Sequence, residues 1–154
     1  MDLTAAWPYI EEIARKRLSH NITARHVSRY GPELETIGAA GELAARRFLG
    51  LPEYLHTHFD GGTDMIVGHT RIDVKTTKLD LAHKYMQWPY WKRVKAPIIL
   101  MTVVDILRKE ALVVGYATRE DILASTINMQ RSTMCYELPI KDLRKASELY
   151  ELFS

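Results

Sequence analysis

The run TDMIVGHTRIDVKTT, residues 63–77, constrains this chain more than any other stretch. Met65, Ile66 and Val67 lie before Gly68-His69, and Ile72 and Val74 follow at alternate positions, so a Gly-X pair separates two short β-prone runs. This pattern predicts a hairpin closed by a type II′ turn, in which the glycine takes the positive φ. A two-residue loop sets the register: Val67 faces Thr70, Ile66 faces Arg71, Met65 faces Ile72 and Asp64 faces Asp73.

Strand side chains alternate between faces, so Met65, Val67, Ile72 and Val74 form one apolar face while Asp64, Asp73 and Lys75 share the other. Directly opposed carboxylates place their Cβ atoms about 4.5–5.5 Å apart and repel each other. A compensating cation is needed, and a metal ion and the Lys75 ammonium are the candidates. The plain alternative is an amphipathic hairpin with a solvated charged face.

A chain of 154 residues can bury one real core and is too short for two ordinary domains. The expectation is one domain over residues 1–154, with a basic helical extension over about the first 30. With 21 basic and 19 acidic residues, net charge neither demands nor excludes a nucleic-acid partner; the distribution of charge matters more. The single cysteine, Cys135, excludes an internal disulfide and fits a reducing cytoplasm. Acids interrupt the N-terminal region and no long apolar run follows, so neither a signal peptide nor a membrane span is expected.

Trp7, Ile10, Ala14 and Leu18 recur near helical spacing, with Pro8 in the first turns. From Arg15 to Arg29 the chain carries Arg15, Lys16, Arg17, Arg25 and Arg29 and no acid, either a solvated face or a phosphate-binding one. Gly31-Pro32 breaks the chain before a second helix, which Gly50 can end. Leu34, Ile37, Gly41, Ala45 and Phe48 form its expected buried stripe, and Glu42 falls roughly 80–100° from the stripe's centre. Gly38-Ala39-Ala40-Gly41 lets this helix approach a neighbour closely, which would bring the Glu42 carboxylate to a sheet rim. A surface pair with Arg46 at i+4 is its ordinary role.

Residues 55–60 read as a first strand carrying His56 and His58, and Asp60-Gly61-Gly62 as a turn. Between Lys78 and Ala96, Tyr85, Trp88, Tyr90 and Trp91 interleave with Lys84, Lys92, Arg93 and Lys95, a composition able to stack bases and neutralise phosphates. The alternative is that two of these aromatics belong to the core. Residues 97–105 and 110–117 are apolar runs suited to buried strands. Thr118 with Asp121 resembles a capping box, Tyr136–Ile140 reads as an edge strand because of Pro139, and Leu143, Ala146 and Leu149 suggest a last short helix.

An acid on a Gly/Ala-rich helix, then a hairpin bearing Asp64 and Asp73-Val74-Lys75, then a hydrophobic strand, resembles the PD-(D/E)XK nuclease superfamily. The likeness runs from about Glu33 to Ala117 and is softest, but present, toward small phage-type members such as Holliday-junction resolvases. Thr63 stands where the naming proline would be, and Gln87 is a candidate for the glutamine found downstream of the lysine in some branches. The resemblance implies an α/β, restriction-endonuclease-like core: helix, β-meander, crossover and further strands, giving a central mixed sheet flanked by helices.

It further implies a hard oxygen site for Mg²⁺ or Mn²⁺, with Asp64, Asp73, Glu42 and the Val74 carbonyl as ligands. Lys75, about 7 Å along the strand from Asp73, would orient the attacking water and steady transition-state charge. Glu42, Asp64, Asp73 and Lys75 are then the catalytic set. Arg15, Lys16, Arg17, Arg25, Arg29, Lys92, Arg93 and Lys95 are the candidate nucleic-acid contacts. The expected activity is DNA phosphodiester hydrolysis, and a homodimer is implied by resemblance alone. The alternative is a non-cleaving nucleic-acid-binding or assembly module of the same fold.

Overall fold

The computed structural model describes residues 1–23, 31–57, 63–79, 84–90, 92–130 and 134–153. The chain is α/β, with a mixed sheet and helices packed against strands. In order come helices α1 (Trp7–Thr23) and α2 (Gly31–Phe48), strands β1 (Met65–Val67), β2 (Thr70–Lys78), β3 (Tyr85–Pro89), β4 (Ile98–Asp105) and β5 (Glu110–Thr118), and helix α3 (Arg119–Leu123). Strands β6 (Thr126–Asn128) and β7 (Cys135–Pro139) and helix α4 (Leu149–Phe153) follow. One sheet is four-stranded in the order β1-β2-β4-β5, the other three-stranded in the order β3-β7-β6. No helix among the described residues is long and apolar enough to cross a membrane.

The chain divides into two compact units, one comprising Met1–Gly61, Thr76–Ala82 and Thr102–Val113, the other Gly62–Lys75, His83–Met101 and Val114–Ser154. The first is built on α1 and α2. Trp7, Ile10 and Ile13 of α1 pack with Ile37, Ala40, Leu43 and Ala44 of α2, and Val104 and Ala111 join the same core. From Ala39 to Arg46 every residue of α2 is buried. The expected narrow stripe is therefore too modest, and at its start Leu34 is 42% exposed. Gly50 ends the helix region with φ +66°, the left-handed conformation expected of a terminating glycine.

The close approach expected of the Gly/Ala segment occurs at Gly41. A Cβ there would overlap Thr76 Oγ1 and lie 2.5 Å from Thr102 Oγ1. Those two hydroxyls are 2.9 Å apart and hydrogen-bonded, so neither can simply swing away. Small residues at this level let the helix backbone sit directly over two threonines.

In the second unit Met86, Trp88, Val94, Ile99, Met101, Ala117, Ile122 and Leu138 form one core. Strand β4 is buried along almost its whole length, as its unbroken apolar run requires. Strand β5 differs from expectation: it is an edge of its sheet and Leu112 is 64% exposed. Strand β7 also differs, because it is the centre of its sheet and not an edge. Pro139 closes the strand, where a missing donor costs little. Residues 55–57 are not a strand, while His58 and the Asp60-Gly61-Gly62 turn lie outside the described residues. Of the described crossover aromatics Trp88 is core, whereas Tyr85 and Tyr90 are exposed and Trp91 lies outside the described residues.

The capping box forms as read. Thr118 accepts from the Asp121 N–H, and Asp121 accepts from the Thr118 N–H at 2.8 Å. Arg144 also donates twice to Asp121, at 2.8 and 3.0 Å. These hydrogen bonds, Arg144's first and then those of Thr118, hold the Asp121 carboxyl down at about 2 against the opposing effect of burial.

Two outcomes follow. Gly41→Ala should lower stability by about 1–3 kcal/mol in urea denaturation, the usual cost of overpacking; an unchanged midpoint would mean the threonines yield freely. A carboxyl depressed on folding stabilises the fold above its unfolded value, near 3.8, and loses that contribution as pH falls through about 2. The melting-temperature gap between wild type and Asp121→Asn should therefore hold steady above about pH 5 and close in acid. A gap independent of pH would contradict this.

Candidate functional site

Glu42 belongs to the first unit and is 9% exposed. Its partner is Arg17 of α1, not Arg46. Arg17 Nη1 donates to Oε1 at 2.7 Å and Nη2 to Oε2 at 2.6 Å, while its Nε donates to the His56 carbonyl at 2.8 Å. This is a bidentate fork between two largely covered side chains, among the stronger forms of charge-assisted hydrogen bonding. Arg17, expected to meet phosphates, has its guanidinium committed to the fold. Of the other expected N-terminal cations, Arg15 is exposed and Lys16 pairs with Glu12 at 2.6 Å on the surface. Arg25 and Arg29 lie outside the described residues.

The hairpin lies in the second unit. Its pairs are Met65↔Ile72, Ile66↔Arg71 and Val67↔Thr70, the register that the Gly68-His69 turn dictates. Gly68 has φ +59° and His69 is not left-handed, the combination a type II′ turn needs. Met65, Ile72 and Val74 are buried as the apolar face, with Val67 half-buried.

The backbone ladder stops at Met65, and the geometry at Asp64 is a departure from simple opposition. Its N–H bonds the Ile72 carbonyl at 3.0 Å, and its carboxylate Oδ2 accepts the Val74 N–H at 2.5 Å. The Asp64 side chain thus takes a donor that a strand carbonyl would otherwise receive. Asp73 is 3% exposed, so this face of β2 is covered at its position, while Arg71 on the same face is exposed. The Lys75 ammonium lies 2.5 Å from Asp73 Oδ2. Of the two compensating cations considered, the lysine is the one whose position the structure gives.

Sequence reasoning missed the role of Trp88. Its position on β3 turns the indole into the buried core, while Gln87 on the alternate face donates to Glu137 across to β7 at 3.0 Å. The Lys75 ammonium stands 4.5 Å and the Lys92 ammonium 5.8 Å from the Trp88 ring centroid. Trp88 Nε1 donates to the Lys92 carbonyl at 2.6 Å, and the Lys92 N–H bonds the Pro89 carbonyl at 3.0 Å. Burial pushes the Lys92 amine below its ordinary value and the Lys75 ammonium pushes the same way, while Asp73 and Asp64 offset part of this. The only available signal was alternation: Met86 and Trp88 are i, i+2 in a run that also holds lysines.

Chemically, the second unit gathers two carboxylates, two ammoniums and one indole. Among the described residues no group of three or more His, Cys, Asp or Glu side chains is arranged to hold a metal. The hairpin carboxylates with the Val74 carbonyl are the oxygen donors that one strand pair offers.

The Arg17–Glu42 fork gives a direct test. Removing one member strands a mostly buried charge, so Arg17→Met should cost about 2–4 kcal/mol in chemical denaturation. The double variant Arg17→Met/Glu42→Gln should cost less than the two single changes added together. Additive losses would mean that the pair contributes no coupling. No known protein family, no curated protein and no solved structure matches the chain, so a functional reading rests on these side chains.

Proposed function

We propose that this chain is a metal-dependent nuclease of the PD-(D/E)XK type, hydrolysing phosphodiester bonds of DNA on a restriction-endonuclease-like core. The observation that carries the reading is the hairpin, where Asp64 engages the Val74 N–H and Asp73 is buried against the Lys75 ammonium. Charged groups are seldom buried at this level without a task or a network to hold them.

The donor chemistry fits the ion that the resemblance implies. Mg²⁺ and Mn²⁺ prefer oxygen, and Mg²⁺ commonly takes only one or two carboxylates from a protein, leaving other positions to water and phosphate. Asp64, Asp73 and the Val74 carbonyl would be the protein's share. A bound divalent ion would supply Lewis acidity toward a phosphoryl oxygen and a more acidic water. Glu42 belongs to the other unit and has a guanidinium nitrogen on each oxygen, so a metal bond there would compete with Arg17.

The chain's own residues then divide the work. The Val74 N–H orients the Asp64 carboxylate. Lys75 neutralises Asp73 at rest and, turned toward a phosphorane-like oxygen, stabilises the charge that develops there. Trp88 limits where that ammonium can go. A second reading, a non-cleaving nucleic-acid-binding module, draws on a specific observation: Glu42 and Asp73 are each already neutralised by a basic side chain.

Cleavage of linear duplex, nicked circle, four-way junction, single-stranded DNA and RNA, with Mg²⁺ and with EDTA, separates these readings. Mg²⁺-dependent cutting of at least one DNA form is expected, abolished by Asp64→Asn or Asp73→Asn. Lys75→Met should reduce it roughly 10²-fold, the scale for losing one preorganised electrostatic group. Binding without cutting in every condition would favour the second reading.

A further inference from the structure

Lys75 and Lys92 share the Trp88 ring but not the same commitments. Lys75 is bound to Asp73 at 2.5 Å. Lys92 is half-buried and makes no ion pair among the described residues, although its own carbonyl accepts from the Trp88 indole and its own N–H donates to the Pro89 carbonyl. A surface lysine gains freedom by reaching into water; this one is held over a buried aromatic ring, its three donors without a hydrogen-bond or ion-pair partner among the described residues.

Charge balance points the same way. Asp64, Asp73, Lys75 and Lys92 together carry two negative and two positive charges, and because Lys75 is already paired with Asp73, Lys92 is the ammonium of the group that an anion would meet. A divalent cation on the carboxylates would make the group more positive still, so the contact is expected without the ion and strengthened by it. An incoming anion would also relieve the repulsion from Lys75 that, after burial, holds the Lys92 amine below its ordinary value.

We propose that Lys92 is a phosphodiester-binding residue of this site, contacting a backbone phosphate of a bound nucleic-acid strand, and so differs in kind from its neighbours Arg93 and Lys95. Arg93 and Lys95 are exposed and lack the Trp88 anchor, and they would contribute general attraction. Lys92 would fix the position of one phosphate beside Asp73 and Lys75. The proposal deepens the nuclease reading and takes its substrate class from it. It does not require that the strand be cut.

The test is a short DNA duplex binding to wild type, Lys92→Met and Lys92→Arg in EDTA, followed by fluorescence anisotropy from low to moderate salt. Lys92→Met keeps most of the apolar stem against Trp88, and thermal melting confirms that each variant is folded. Lys92→Met should bind about tenfold more weakly, with the log–log salt slope smaller by about 0.9, as for one lost phosphate contact. Lys92→Arg should keep the wild-type slope. Equal affinity and slope in wild type and Lys92→Met would overturn the proposal. Repeating the series with Mg²⁺ and reading cleavage separates the two ideas. A Lys92-dependent slope without cutting would sink the nuclease reading alone, and cutting with unchanged kcat/KM in Lys92→Met would sink this one alone.

Discussion

A carboxylate at 3% exposure is the constraint on which the second unit's arrangement depends. Taking such a group out of water costs several kcal/mol, and a partner of opposite charge must be close to offset it. Asp73 meets this requirement with Lys75, two residues along the same strand and therefore on the same face. The partner comes with β2 itself. Lys75 then needs a surface that tolerates an ammonium without hydrating it fully, and the Trp88 ring provides one. Lys92 is drawn in by the same ring and by the backbone bond from its indole.

The first unit solves a similar problem differently. Glu42 is nearly as covered as Asp73, but its cation arrives from another helix, with both carboxylate oxygens and a main-chain carbonyl accepting from the guanidinium. A planar fork is suited to this because all its donors point outward at fixed angles. One residue earlier, Gly41 removes the Cβ that would strike the Thr76–Thr102 pair. The neighbouring positions 41 and 42 thus carry a steric requirement and an electrostatic one. Mutating either disturbs α2 for a different physical reason.

What could be read from the residues was whatever depends on neighbours in the chain. The hairpin register follows from a two-residue turn, the Thr118–Asp121 box from a three-residue spacing, and β4 from a continuous apolar run. Partners brought together by folding could not be read. Arg46 was the obvious mate for Glu42 at one helical turn, yet Arg17, 25 residues away, has the better geometry. Pro139 suggested an edge because its missing donor matters only within a ladder, and its place at the strand's end removes that objection. Trp88 looked like one aromatic among several until β3 turned it inward beside two lysines.

The proposed nuclease reading puts the divalent cation on the hairpin carboxylates and not on acids elsewhere on the chain. Carboxyl ¹³C NMR during a Mg²⁺ titration tests it most directly, because each side chain reports its own occupancy without any need for cleavage. Saturable shifts are expected at Asp64 and Asp73, while Asp121 and Glu53, held by Arg144 and Arg47, stay in place. Uniform small shifts at all four, or none at the hairpin pair, would contradict it.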